Sequence, residues 1–215
     1  MIVRFLHWAA SHGWVYDRIQ SIFGAKTVYS EVAKRIRTGR NPVVLDIGAG
    51  TGTLLRYLTG DCRYICFDLE APKLAAFRGK FPTGMALLGD ASALPVSDQS
   101  VDFAVCTMVA HHLPREVFRQ LLGECRRVLR PEGCFVFLDW LRPTTRIPSR
   151  ILCALDRGAH PYSLDELDSL IQERFTVTSS GRFAVYHEYV VMVLRPRLGP
   201  APVTSSRQTA ERYSG

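Results

Sequence analysis

VVLDIGAGTGTL, residues 43–54, runs from a continuous apolar segment through an acid into three glycines at alternate positions. Val43, Val44 and Leu45 form the kind of unbroken apolar run found in a central parallel strand buried on both faces. Asp46 stands at the carboxyl end of that strand, and Gly48, Ala49, Gly50 and Gly52 make a turn leading into a helix. Glycine lets the backbone fold back sharply and approach a ligand with no Cβ in between. The dinucleotide fingerprint G-x-G-x-x-G, counted from Gly48, requires glycine at position 53, where this chain has Thr53. A diphosphate would also be repelled by Asp46, whereas a ligand with a positively charged end would be attracted.

Working outward, the next apolar segments end in acids as well. Tyr64 to Phe67 leads to Asp68 and Leu69, about twenty residues after Asp46, the spacing at which an acid on the second strand reaches both hydroxyls of a ribose. Met85 to Leu88 leads to Gly89-Asp90-Ala91, where an acid followed by a small residue can accept from an exocyclic amine while a backbone N–H meets a ring nitrogen. Val101 to Cys106 opens with Asp102 and ends beside Thr107 and Met108. Any one such acid could be a helix cap or a solvated strand end. Three of them at successive strand tips beside a glycine turn point to one crevice at the carboxyl edge of an open α/β sheet.

The chain resembles the class I S-adenosylmethionine-dependent methyltransferases, of the type 11 group that includes ubiquinone- and menaquinone-pathway enzymes. The resemblance rests on VVLDIGAGTGTL (43–54), CFDLE (66–70), GDASALPVSDQSVDFAVC (89–106), HHL (111–113) and ECRRVLRPEGCFVFLDW (124–140), in the family's order. It implies an α/β, Rossmann-like, doubly wound sheet of seven strands, with an antiparallel last strand entering between the fifth and sixth and an N-terminal helical lid. It also implies S-adenosylmethionine as cofactor. Gly48, Ala49, Gly50 and Gly52 would surround the methionine part, Asp46 its ammonium, Asp68 with Leu69 the ribose, and Asp90 with Ala91 the adenine. Tyr16 and Thr107 complete the implied cofactor set, Tyr16 through the Tyr16-Asp17 pair of the N-terminal segment.

Three sections follow from this reading: a helical lid and substrate segment over 1–40, a cofactor-binding domain over 41–194, and a basic, disordered tail over 195–215. A helix is expected from Lys26 to Thr38, with Val28, Val32 and Ile36 on one face. A second runs from Pro114 to Leu129, and Arg130-Pro131-Glu132-Gly133 is a turn before a strand from Cys134 to Leu141. Arg142 to Pro161 is an irregular basic loop over the carboxyl edge. Ser163-Leu164-Asp165-Glu166 has the form of a capping box opening a helix to Glu173. Phe175 to Val177 and Val185 to Leu194 complete the sheet.

Methyl transfer from a sulfonium is an in-line displacement that needs alignment and exclusion of water more than a protein nucleophile. An acceptor with an acidic proton still gains from a base. His111 and His112, just after the fourth strand, are the candidates, with Tyr162 and His160 as weaker ones. The place after that strand reads Cys106-Thr107-Met108-Val109, without the [N/D]-P-P-[Y/F] signature of enzymes acting on planar amide or base nitrogens. A small-molecule acceptor, aromatic, anionic or lipid-like, is therefore expected rather than nucleic acid.

At 215 residues the chain holds one well-buried α/β domain with a small appendage. The charge of +7 and pI near 9.3 arise from arginines spread over 142–157 and 195–212, a distribution that suits a solvated surface, an anionic substrate or a lipid surface. The six cysteines include no C-x-x-C and read as buried hydrophobes in a reducing compartment; adjacent His111 and His112 are not spaced to share a metal. No transmembrane segment or signal peptide is recognisable, so a cytoplasmic location is expected. The alternatives are a macromolecular methyltransferase using the basic residues on RNA or protein, and a non-catalytic cofactor-binding protein of the same fold. A nicotinamide-dependent oxidoreductase is disfavoured by Thr53.

Overall fold

The computed structural model describes residues 25–37, 40–144, 146–147, 149–150, 153 and 160–197. Tyr16, residues 1–24 of the expected lid, and the tail beyond 197 lie outside the described residues. Seven strands form one sheet in the order β3-β2-β1-β4-β5-β7-β6. They are β1 (Val43–Ile47), β2 (Arg63–Asp68), β3 (Met85–Leu88), β4 (Val101–Thr107), β5 (Leu129–Trp140), β6 (Phe175–Ala184) and β7 (Glu188–Pro196). The first five strands are parallel, and β7 runs antiparallel to both neighbours, β5 and β6. The chain reverses direction at β1, whose partners β2 and β4 lie on opposite sides, so the carboxyl ends of β1 and β4 flank a crevice.

Alternation along β1 assigns the two layers. Val43, Leu45 and Ile47 join Phe118, Leu121, Leu122 and Cys125 of α3 (Arg115–Val128) and Leu167, Leu170 and Ile171 of α4 (Leu164–Gln172). Val44, on the other face, joins Val28, Tyr29 and Val32 of α1 (Ala25–Ala33) and Leu74 and Phe77 of α2 (Ala71–Lys80). Helices on both faces bury all five residues of β1, which is why its sequence shows no polar alternation. The capping box forms as read: Ser163 Oγ accepts the Glu166 N–H at 3.2 Å, and the Glu166 carboxylate accepts the Ser163 N–H at 2.7 Å.

Several segments differ from the sequence reading, among them β6, which runs to Ala184 rather than Val177. α1 ends at Ala33, and the Arg35 and Ile36 N–H groups bond three residues back, so the last turn tightens while Ile36 stays buried. With its face buried against Val44, Leu54 and Trp140, α1 is a layer of the core. The glycine turn opens a 3₁₀ turn, Thr53–Tyr57, instead of an α-helix; Tyr57 stacks on Tyr29 of α1 with ring centroids 6.0 Å apart. Residues 130–133 are not a turn before β5 but a bulge within it, since Val101 pairs with Leu129 and Phe103 with Cys134. Arg130 fixes the bulge to Asp102 at 2.5 Å, and Asp102 also accepts the Val43 N–H at 2.7 Å, so this acid locks the edge opposite the crevice. Finally, β7 continues to Pro196, and Arg197 bonds the Arg174 and Phe175 carbonyls, so 195–197 belong to the sheet rather than to a tail.

All six cysteines are free thiols, and burial pushes those of Cys66, Cys106 and Cys125 upward. Among the described residues no helix is long and apolar enough to cross a membrane, and no group of three or more His, Cys, Asp or Glu is placed to hold a metal.

Candidate functional site

The glycine turn is held by hydrogen bonds to the neighbouring strand. Gly48 and Ala49 both donate to the Phe67 carbonyl, at 2.8 and 3.0 Å, and Gly50 donates to Asp68 Oδ2 at 2.8 Å. Gly48, Gly50 and Gly52 have φ of 70°, 58° and 73°, a left-handed conformation that costs an L side chain about 1–2 kcal/mol per residue. A Cβ on Gly48 would also lie inside Val109, and one on Gly52 inside the Phe77 ring. Gly48 and Gly52 are thus required by conformation and by packing, and Gly50 by conformation.

Asp68 is 5% exposed and already engaged: Oδ2 takes the Gly50 N–H, and Oδ1 takes the Glu70 N–H at 2.9 Å. Each carboxylate oxygen keeps a second lone pair for a ligand hydroxyl. Leu69 follows with 69% exposure, an apolar side chain presented to the solvent side of the same strand tip. Asp90 is exposed, and its carboxyl is held below the usual range by the Ser92 N–H it accepts at 2.8 Å and by the Ser92 side chain, in a local turn. Ala91 is half-buried behind it.

Asp46 is 2% exposed and accepts the Tyr64 hydroxyl. Burial pushes its carboxyl up to about 7; the Tyr64 hydrogen bond opposes this, and the charge of Asp68 adds to it. Because the folded value lies above the ordinary 3.8, the folded chain retains a proton that the unfolded chain releases, and stability falls as pH rises from about 4 to about 7. In Asp46→Asn this part of the pH–stability curve flattens by about 2 kcal/mol or more, read by urea unfolding at pH 5 and pH 8. Equal pH slopes in variant and wild type would show that Asp46 is ionised throughout.

Thr107, at the tip of β4, is 6% exposed, and its Oγ1 has no hydrogen-bond partner among the described residues. A buried hydroxyl without a partner is costly. Met108 follows with φ of 60° and donates its N–H to the Leu138 carbonyl at 2.9 Å, which turns Val109 over Gly48.

His111 and His112 fall on a 3₁₀ turn, Ala110–His112, and receive different environments. His111 is 2% exposed, and its Nδ1 lies 2.6 Å from Asp139 Oδ1 while its N–H donates to Oδ2 at 3.2 Å. The carboxylate favours the tautomer with hydrogen on Nδ1, which makes Nε2 the basic nitrogen. The imidazole is packed between His112 and Trp140, at centroid distances of 4.0 and 4.9 Å. His112 is exposed. Tyr162 is spent on the Leu113 carbonyl at 2.8 Å, and His160 donates its N–H to the His111 carbonyl at 3.0 Å.

Asp46, Asp68, Thr107 and His111 therefore stand at the carboxyl edge of three parallel strands, β1, β2 and β4, with His111 on the turn that follows β4. Two partners escaped the sequence reading. Asp139 was visible as a lone acid in the apolar run Cys134 to Trp140, but its link to His111 arises from the pairing of β4 with β5. Tyr64 left no signal, because it reads as an ordinary strand aromatic.

Residues 45–137 match the family model described as a methyltransferase domain. The chain is 34% identical over 125 residues to the phthiotriol/phenolphthiotriol dimycocerosates methyltransferase of Mycobacterium tuberculosis, covering 56% of this chain and 45% of that one. It is 30% identical over 137 residues to the demethylmenaquinone methyltransferase of Thermotoga maritima, covering 61% and 59%. The chain spans about half the length of these relatives. Among solved structures, geranyl diphosphate C-methyltransferase from Streptomyces coelicolor A3(2), in complex with Mg2+, geranyl diphosphate and S-adenosyl-L-homocysteine, superposes with a TM-score of 0.64 at 13% identity, over 80% of this chain and 81% of that one. At that identity the likeness is one of fold.

Proposed function

Because the chain carries a methyltransferase domain of class I fold over residues 45–137, we propose that it moves a methyl group from S-adenosylmethionine to a small-molecule acceptor. When bound, the cofactor supplies an electrophilic methyl on a sulfonium. The observation that carries the proposal is the latch between the Gly50 N–H and Asp68, which joins the glycine turn and the acid of β2 into one cradle beside the unpartnered Thr107 hydroxyl. A turn without side chains, two buried carboxylates and an orphaned hydroxyl fit a ligand that brings an ammonium and vicinal hydroxyls. Asp46 would hold the ammonium; Gly48, Ala49, Gly50 and Gly52 the methionine backbone; Asp68 and Leu69 the ribose; Asp90 and Ala91 the adenine; Thr107 a polar atom between them. Tyr16 would close over the site from the N-terminal segment.

His111 is the base of this reading, oriented by Asp139, with exposed His112 at the rim. Nε2 would take or hold the acceptor's proton while the cradle aligns the reacting atoms. Relatives named for a demethylmenaquinone and for phthiotriol lipids, and a structural neighbour named for geranyl diphosphate, support a quinone-like aromatic or lipid-like acceptor. The free thiols suit the cytoplasm.

Isothermal titration with S-adenosylmethionine, S-adenosylhomocysteine and NADH tests the proposal. We expect micromolar binding of the two adenosyl ligands and none of NADH, followed by acceptor-dependent release of S-adenosylhomocysteine in a screen of phenols, hydroquinones and lipids. No binding of either adenosyl ligand would sink it.

A further inference from the structure

A groove of about 390 Å³ opens between the start of α3 and the entrance to α4, lined by Arg115, Arg142, His160, Pro161, Tyr162 and Glu166. Its walls are tied to the crevice by main-chain bonds: the His160 N–H to the His111 carbonyl at 3.0 Å, and the Arg142 N–H to the Tyr162 carbonyl at 2.8 Å. The groove therefore adjoins the His111 backbone through His160.

Its charges are unequal in their commitments. Glu166 accepts the Ser163 N–H in the capping box and faces the Arg142 guanidinium at 2.8 Å, so the carboxylate is neutralised in place. Arg142 is further fixed by its Nε–H donating to the Pro161 carbonyl at 3.1 Å, which sets the plane of its guanidinium. Arg115, by contrast, has no carboxylate partner among the described residues, although most arginines around it do: Arg119 pairs with Glu116 and Glu173, and Arg127 with Glu124 and Asp98. Two guanidiniums and one carboxylate leave a surplus of positive charge, with the exposed His160 as a further donor. Pro161 and the Tyr162 ring add apolar surface beside it. A guanidinium fork matches the planar or tetrahedral oxygens of a carboxylate or phosphate better than it matches a neutral group.

We propose that this groove is an oxyanion subsite that holds a carboxylate or phosphate on the acceptor, with Arg115 as its principal ligand. The proposal rests on the methyl-transfer reading for the identity of the bound molecule as acceptor, but not for the binding of an anion. It restricts that acceptor to an amphiphile whose anionic end sits at Arg115 while its reactive atom lies toward His111.

The test titrates the 215-residue chain with inorganic pyrophosphate and, separately, malonate at fixed ionic strength, alongside S-adenosylhomocysteine. Arg115→Ala is compared with Arg63→Ala, which removes the same charge from an exposed position at the start of β2, on the opposite edge of the sheet. We expect millimolar binding of at least one anion, weakened fivefold or more in Arg115→Ala and unchanged in Arg63→Ala; the tighter probe distinguishes phosphate from carboxylate. Equal weakening in both variants, or no anion binding to wild type, overturns the subsite even if the adenosyl ligand binds normally. Anion binding that depends on Arg115 without adenosyl-ligand binding supports the subsite and overturns the methyl-transfer reading instead.

Discussion

We expect Asp68→Ala to weaken S-adenosylhomocysteine binding at least 100-fold and to lower the melting temperature of the ligand-free protein by several degrees. Both effects come from one carboxylate. Without it the Gly50 and Glu70 N–H groups lose their acceptors, at 2.8 and 2.9 Å, and hydrogen bonds to a charged group are worth about 1.5–3 kcal/mol each. In the proposed ribose site the ligand hydroxyls would lose theirs as well, and a 100-fold change corresponds to only about 2.7 kcal/mol. Asp68→Asn keeps the volume but turns a donor toward one of the two N–H groups, so it falls between Ala and wild type. Calorimetry and thermal melts on the same samples separate the roles. If Asp68→Ala melts lower yet binds the adenosyl ligand as tightly as wild type, the carboxylate only latches the turn and the ribose assignment is wrong.

Gly48→Ala destabilises the fold by about 3 kcal/mol, combining a left-handed conformation at φ 70° with a collision against Val109. These two contributions separate in a double-mutant cycle. Val109→Ala removes the obstructing methyl groups at a modest packing cost, and in the Gly48→Ala/Val109→Ala protein the steric part is recovered while about 1–2 kcal/mol from the backbone remains. Denaturant unfolding of the four proteins should give a coupling energy above about 1 kcal/mol. Additive effects would mean that the turn moves away from Val109, and the packing explanation for Gly48 would fail.

The local devices were legible because they depend on few residues. A capping box needs Ser163 and Glu166, and a both-faces-buried strand needs only the run Val43 to Leu45. Errors occurred where a neighbour changed the local preference. Arg130-Pro131-Glu132-Gly133 has the residues of a turn, yet the pairing of Val101 with Leu129 draws it into β5 as a bulge. Arg195 to Arg197 have the composition of a tail, yet β6 and the Arg174 and Phe175 carbonyls hold them. The helical stripe of α1, Val28, Val32 and Ile36, was legible, but a stripe does not say what it covers; here it covers the sheet.

At the site, the positions that must be glycine and the strand tips that end in acids could be read from the chain alone, because φ preference and strand length are properties of short segments. What those acids face depends on the assembled sheet. Asp46 meets the Tyr64 hydroxyl and rises to about 7 because the α1–α2 layer excludes water; Asp68 turns to the Gly50 N–H because β1 and β2 are adjacent and parallel. His111 is paired with Asp139 across 28 positions because β4 and β5 end side by side. Ionisation and hydrogen-bond partnership depend on burial and on the distance to groups remote in the chain, and both are set only when the sheet has been assembled.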